Sequence, residues 1–152
     1  MEIPGREPVV AAHVVLDYNG TIAVDGSLIP GVAERIARLK EMASVCVLTA
    51  DTYGTVREQC GPLGVEVKTF PREGASKCKE EIVKGLLGGA VCFGNGFNDI
   101  QMFDAASLAV AVLEEEGMCA ALLAHADVAV HSVADGLDLL LKPNRLKATL
   151  RS

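Results

Sequence analysis

Val14-Val15-Leu16-Asp17-Tyr18-Asn19-Gly20-Thr21 is the stretch on which the fold turns. An apolar run from Pro8 to Leu16, broken only by His13, delivers a single carboxylate, and a short polar turn with glycine follows. Unbroken apolar runs of this kind form strands buried on both faces, as in parallel sheets covered by helices. Ligand sites in such sheets lie just beyond the carboxyl ends of the strands, where Asp17 falls. Gly20 permits a sharp reversal, and the exposed amides of such a turn can cradle an anion. An aspartate here can serve as nucleophile, metal ligand or turn residue.

Composition frames this reading. A chain of 152 residues suits one domain over 1–152 with a sizeable core. Half the residues are hydrophobic and 22% are charged, a globular balance. No apolar stretch reaches the roughly 18 residues of a membrane span, and Met1 to Glu7 lacks a signal-peptide layout. A formal net charge of -6 argues against a nucleic-acid partner. The five cysteines are an odd number without CxxC spacing, and Cys46 and Cys92 fall inside apolar runs. A cytoplasmic protein without structural disulfides or membrane association is expected.

Working outward, Thr21 to Pro30 reads as a short loop with a turn at Asp25-Gly26, and Pro30 or Gly31 opens a helix carrying Val32, Ile36 and Leu39. Ser44 to Leu48 is a second buried strand ending in Thr49-Ala50-Asp51. Tyr53 to Gln59 reads as a helix capped by Asp51 or Thr52, and Val65 to Val67 as a third strand. Ser76 is expected to cap a helix from Lys77 to about Leu87. Ala90 to Phe93 is a fourth strand, running into Gly94-Asn95-Gly96-Phe97-Asn98-Asp99 and a helix. Leu108 to Leu113 is a fifth strand, Glu115 to Ala124 a helix, Val128 to Val130 a sixth strand and Val133 to Leu141 the last helix. A basic tail, Lys142 to Arg151, is expected to dock on an acidic surface of this chain or a partner. Regular alternation of strand and helix means a doubly wound α/β fold with a mostly parallel six-stranded sheet.

Three strand ends therefore carry polar signatures, with a lysine-bearing helix start between the second and third. The set resembles the four motifs of the haloacid dehalogenase superfamily, and within it the phosphorylation domain of P-type ATPases and their soluble relatives. DYNGT at Asp17 resembles DKTGT, TAD at Thr49 resembles TGD, and GNGFND at Gly94 resembles GDGxND. The matching order spans about residues 9 to 130. Connections at Thr21–Pro30 and Lys68–Ala75 are too short for an inserted cap domain.

That resemblance implies an Mg²⁺-dependent phosphohydrolase in which Asp17 attacks a phosphoryl group and forms an aspartyl-phosphate. Thr49 would donate to the phosphoryl oxygens and Lys79 would supply positive charge, with Lys77 the alternative lysine. Asp17, Asp99, the backbone carbonyl of Asn19 and the side chain of Asn95 would hold Mg²⁺, a cation that takes oxygen ligands. Gly20, Thr21, Ala50 and Asn98 complete the implied phosphate site, although Asn98 serves a loop role equally well. Asp51 fits a helix cap better than a catalytic group. His13 reads as a core histidine, His125 and His131 lack metal-ligand spacing, and Glu114-Glu115-Glu116 reads as the solvated start of a helix.

Two departures from the phosphatase pattern stand out. Most phosphatases of that superfamily place a second aspartate two positions after the nucleophile as general acid and base. Here the position is Asn19, which exchanges no proton near neutral pH, so slow turnover is expected. Asn95 replaces the usual aspartate of GDGxND and removes a negative charge beside the metal. Both departures suit the alternative reading, a weak or inactive relative that binds a phosphorylated ligand or protein partner as a regulator. A capless, open site suits a phosphorylated small molecule or phosphoprotein, or a homo-oligomer in which a second subunit covers the cleft.

Overall fold

The computed structural model describes residues 1–50 and 55–152. Strand β1 is His13–Asp17, and β2 (Ala23–Val24) and β3 (Ser27–Leu28) make a small hairpin. Next come α1 (Val32–Leu39), β4 (Ser44–Thr49), α2 (Thr55–Cys60), β5 (Glu66–Thr69), α3 (Ala75–Lys84) and β6 (Ala90–Gly94). The chain closes with α4 (Ile100–Ala105), β7 (Leu108–Val112), β8 (Val128–Val130), α5 (Val133–Leu141) and α6 (Pro143–Leu150). Six strands form one sheet in the order β5-β4-β1-β6-β7-β8, with every pairing parallel.

The two-residue period of β1 explains its central place. Val14 and Leu16 enter the core on one side of the sheet, and Val15 enters the core on the other. On the first side, α1 inserts Val32, Ile36 and Leu39, all fully buried. Burial of side chains of this size is worth about 1.5–3 kcal/mol each. Because β1 pairs with β4 on one side and β6 on the other, the chain leaves β1 in opposite directions. A crevice opens at the carboxyl end of such a switch point. Asp17, Thr49 and Gly94 are the last residues of these three strands.

Several local expectations are corrected. The loop after β1 is a hairpin whose tip, Asp25 and Gly26, has φ of 51° and 83°, the two positive values of a tight two-residue turn. Ser76 does not cap α3; the helix begins at Ala75 behind Gly74, whose φ of 75° only glycine adopts easily, and it ends at Lys84. The helix expected over Glu115–Ala124 is absent. Glu114 to Cys119 form turn and loop, and only a 3₁₀ turn, Ala120–His125, follows. The acidic run is not a helix start: Glu114 accepts from the Val133 amide at 2.8 Å and Glu116 from the Asp25 amide at 3.1 Å.

The basic tail forms a further helix beyond the one expected to be the last. Pro143 opens α6, Leu146 is fully buried, and Arg145 lies 3.9 Å from Asp138. Asp138 is also held by Arg35 at 3.0 Å. Beyond α6, the Ser152 amide donates to the Pro4 carbonyl at 3.1 Å. The expected cap at Asp51 or Thr52 lies outside the described residues. No helix among the described residues is long and apolar enough to cross a membrane.

Candidate active site

Asp17 ends β1 with only 7% of its surface exposed. Its Oδ2 accepts from the Thr21 hydroxyl at 2.9 Å, and its Oδ1 accepts from Lys79 Nζ at 2.9 Å. Lys79 stands on the buried face of α3, whereas Lys77, two residues earlier, points to solvent. The same ammonium donates to Asp99 Oδ1 at 2.7 Å and Asn98 Oδ1 at 2.9 Å. All three of its protons are thereby engaged. Asp99, fully buried, turns Oδ2 to the backbone amides of Asn95 and Gly96 at 3.1 and 3.0 Å, which fixes the loop after β6.

Motif loops meet closely here. Gly20 has φ of 81°, and a Cβ on it would collide with the side chain of Asn95. Asn95 Oδ1 lies 3.2 Å from the Thr21 hydroxyl, while its Nδ2 donates to the Gly117 carbonyl at 3.1 Å. Asp17, Asn19, Thr49, Ala50, Lys79, Asn95, Gly96 and Asn98 line one cleft of about 200 Å³. Thr21 and Asp99 lie beneath it, fully buried. Residues expected to act together are thus brought together, and Asn19 lies exposed at the cleft.

Charge does not balance in this cluster. Two buried carboxylates face one ammonium, and removing a carboxylate from water disfavours its ionised form. Burial, and then the negative charge of Asp99, push the Asp17 carboxyl up to about 7 against the opposing pull of Lys79 and Thr21. Burial alone would depress the Lys79 ammonium, but Asp17 and Asp99 outweigh it and its affinity for the proton rises. Lys79 therefore stays charged at neutral pH. An additional cation would relieve the excess negative charge.

The donor set tests what that cation could be. Among the described residues no group of three or more His, Cys, Asp or Glu side chains is placed to hold a metal. The cleft offers instead the carboxylate of Asp17, with that of Asp99 buried beneath it and the amide oxygen of Asn95 and the backbone of Asn19 nearby. These are hard oxygen donors without nitrogen or sulfur, and they fit a hard divalent cation better than zinc or copper. A cation held by Asp17 and Asp99 would favour the ionised form of Asp17 that burial opposes.

Sequence reading missed three contributors. Gly96 lines the cleft, and the Gly117 carbonyl and Cys119 amide grip Asn95 from a distant loop, the latter at 2.8 Å to the Asn95 carbonyl. Gly117 itself was the available signal: a glycine within an expected helix, here with φ of 79°. Tyr18 also anchors the hairpin, its hydroxyl donating to the Gly26 carbonyl at 2.7 Å.

No protein-family model matches the chain. An uncharacterized protein of Methanocaldococcus jannaschii is 41% identical over 61 residues, which are 40% of this chain and 66% of the relative. A second from the same organism is 54% identical over 39 residues, 26% of this chain and 89% of the relative. The cobalt-bound deoxy-D-mannose-octulosonate 8-phosphate phosphatase YrbI of Haemophilus influenzae superposes with a TM-score of 0.74 at 13% identity, covering 95% of both chains. A protein of Legionella pneumophila described as a haloacid dehalogenase superfamily hydrolase, subfamily III A, superposes at 0.65 with 16% identity over 92% of this chain and 87% of that one. A zinc-transporting PIB-type ATPase in its E2.Pi state matches at 0.63 with 24% identity over 80% of this chain and 20% of that one. The fold of this chain is that of the haloacid dehalogenase superfamily, with no cap domain inserted among the described residues.

Proposed function

We propose that the chain is a phosphohydrolase that transfers a phosphoryl group to Asp17 and then to water. The observation that carries this reading is the buried cluster in which Lys79 joins Asp17 to Asp99 on an open cleft. An Asp17 oxygen attacks phosphorus, the bond to the leaving oxygen breaks, and water later attacks the aspartyl-phosphate to release inorganic phosphate. Lys79 faces the transferring group with fixed positive charge, and Thr21 holds the second Asp17 oxygen in place. Asp17, Asp99, Asn95 and the Asn19 backbone would hold Mg²⁺. When bound, Mg²⁺ would supply positive charge to phosphoryl oxygens and favour the ionised form of Asp17. The cobalt-bound neighbour supports a divalent metal, and the all-oxygen donor set favours magnesium.

No carboxylate takes the general-acid position, because Asn19 stands there. The departing oxygen leaves carrying its negative charge and is protonated by solvent. Turnover is therefore slow, by the factor of about 10²–10⁴ that acid–base help usually supplies. The second reading, a regulator that binds phosphorylated ligands without turnover, is favoured by the neutral Asn19 and Asn95. An assay of p-nitrophenyl phosphate with Mg²⁺, beside Asp17→Asn, separates the two. Hydrolysis lost in the variant, with phosphate trapped on Asp17 in the parent after acid quench, supports the enzyme. Equal background rates with retained phosphate binding support the regulator.

A further inference from the structure

The crossover from β7 to β8 carries only a 3₁₀ turn, Ala120–His125, where an α-helix would cover more of the sheet. Leu122 of the 3₁₀ turn reaches the core beside Ala109 and Ala111 and is fully buried. Past it an open pocket of about 320 Å³ remains, lined by Leu113, Met118, Leu123, Ala129, Val130 and His131. Leu113 and Leu123 are left 49% and 48% exposed. This volume lies within the range of about 300–1,000 Å³ typical of small-molecule sites. Hydroxyl-rich ligands would find one polar side chain here, His131, and would lose hydrogen bonds made in water.

One segment, Gly117 to Cys119, touches both the cleft and the pocket. Asn95 lines the cleft and is gripped by Gly117 and Cys119, and Met118 between them lines the apolar pocket. Both openings are at the carboxyl end of the sheet. Strand β7 lies two places and β8 three places from β1, so the pocket sits about two to three strand spacings, roughly 10–15 Å, to the side of Asp17. One small molecule can span that distance.

We propose that this pocket receives the apolar body of the substrate, an alkyl or aryl phosphate monoester whose phosphoryl group occupies the Asp17–Lys79 cleft, an assignment that rests on the phosphohydrolase reading. The substrate class is then a hydrophobic organic phosphate rather than a sugar phosphate. An aryl body also suits a site that offers its leaving group no acid.

Alkylphosphonates from methyl to octyl, titrated by calorimetry into the full chain with Mg²⁺, test the assignment. Kd is expected to fall about two- to fourfold per added methylene once the chain is long enough to reach the pocket, and until the pocket is filled. Leu113→Ser and Leu123→Ser replace exposed side chains; each should flatten the series and leave methylphosphonate affinity unchanged. Lys79→Ala should weaken every member alike. A flat series in the parent chain, a slope that survives both leucine variants, or octylphosphonate affinity indifferent to Lys79→Ala overturns the proposal. Failure of both inorganic phosphate and methylphosphonate to bind removes the phosphohydrolase reading, and the proposal with it. Phosphate bound with a flat alkyl series removes the proposal alone.

Discussion

Lys79 donates to Asp17 across 2.9 Å from inside the protein, with 3% and 10% of the two side chains exposed. Taking the lysine away leaves Asp17 and Asp99 as buried neighbours of like charge. Lys79→Met is expected to cost about 3–5 kcal/mol of stability, the usual penalty for breaking a buried pair. Loss of this cation should also lower kcat/KM by about 10²–10³. Urea denaturation and steady-state kinetics on the same variant check both figures. Lys77→Met, at a solvent-facing position, should change neither.

The raised Asp17 carboxyl gives stability a definite pH dependence. In the unfolded chain the group ionises near 3.8, but in the metal-free fold it keeps its proton up to about 7. Between those values the folded state binds more protons, so this group makes stability fall as pH rises. In EDTA, urea midpoints should decline from pH 4.5 to 7.5, and Asp17→Asn should flatten that decline. Metal binding needs the ionised form, so Mg²⁺ should raise Tm more at pH 8 than at pH 5.

Asn95 couples the proposed metal site to the distant loop. Asn95→Asp adds a negative charge to the donor set but replaces the amide that donates to the Gly117 carbonyl. Two acceptors then face each other. The variant is expected to bind Mg²⁺ more tightly while losing about 1–3 kcal/mol in EDTA. Calorimetry with Mg²⁺ and melting curves with and without the metal report the two effects separately.

Without an acid at position 19, rate should depend steeply on leaving-group pKa. Across substituted phenyl phosphates, kcat/KM of the parent chain should fall sharply as the phenol becomes more basic. Asn19→Asp should flatten the dependence and raise turnover of poor leaving groups, within the factor of about 10²–10⁴ usual for general acid catalysis. A shallow slope in the parent would place the acid elsewhere.

Thiol reactivity should follow burial. Burial pushes the Cys46 and Cys60 thiols up to about 11, and Cys92 further still. Cys78 and Cys119 are only half-buried. In the native protein an aromatic disulfide reagent should modify those two quickly and the other three only on unfolding. Five equal rates would mean that the sheet opens readily.

What could be read from sequence was governed by distance along the chain. Asp17 was legible because it follows an apolar run that ends at the crevice, whereas Thr49 and Asp99 were legible through the resemblance of TAD and GNGFND to family motifs. Lys79 was legible through its match to the family's lysine followed by an apolar pair, and the structure buries it on the same helix face as Val83. The tail misled because its charges hide a helical spacing, Leu146 to Leu150, behind Pro143 at the first helical position. Ala120 to Leu123 imitates a helix by composition, and only Gly117 spoke against it. The grip of Gly117 and Cys119 on Asn95 joins residues more than twenty positions apart, and no local pattern records it. The apolar pocket is a product of the same loop.

Ser152 meets Pro4 near the segment that leads into β1, at the end of the sheet opposite the cleft. Pro4 and Ser152 therefore lie away from the mouth of the candidate cleft. An affinity tag, a fused reporter or a tether to a solid support attached at either end would leave that mouth open to solution. Immobilised protein should consequently turn over phosphate substrates as fast as free protein does, if the proposed activity holds for both.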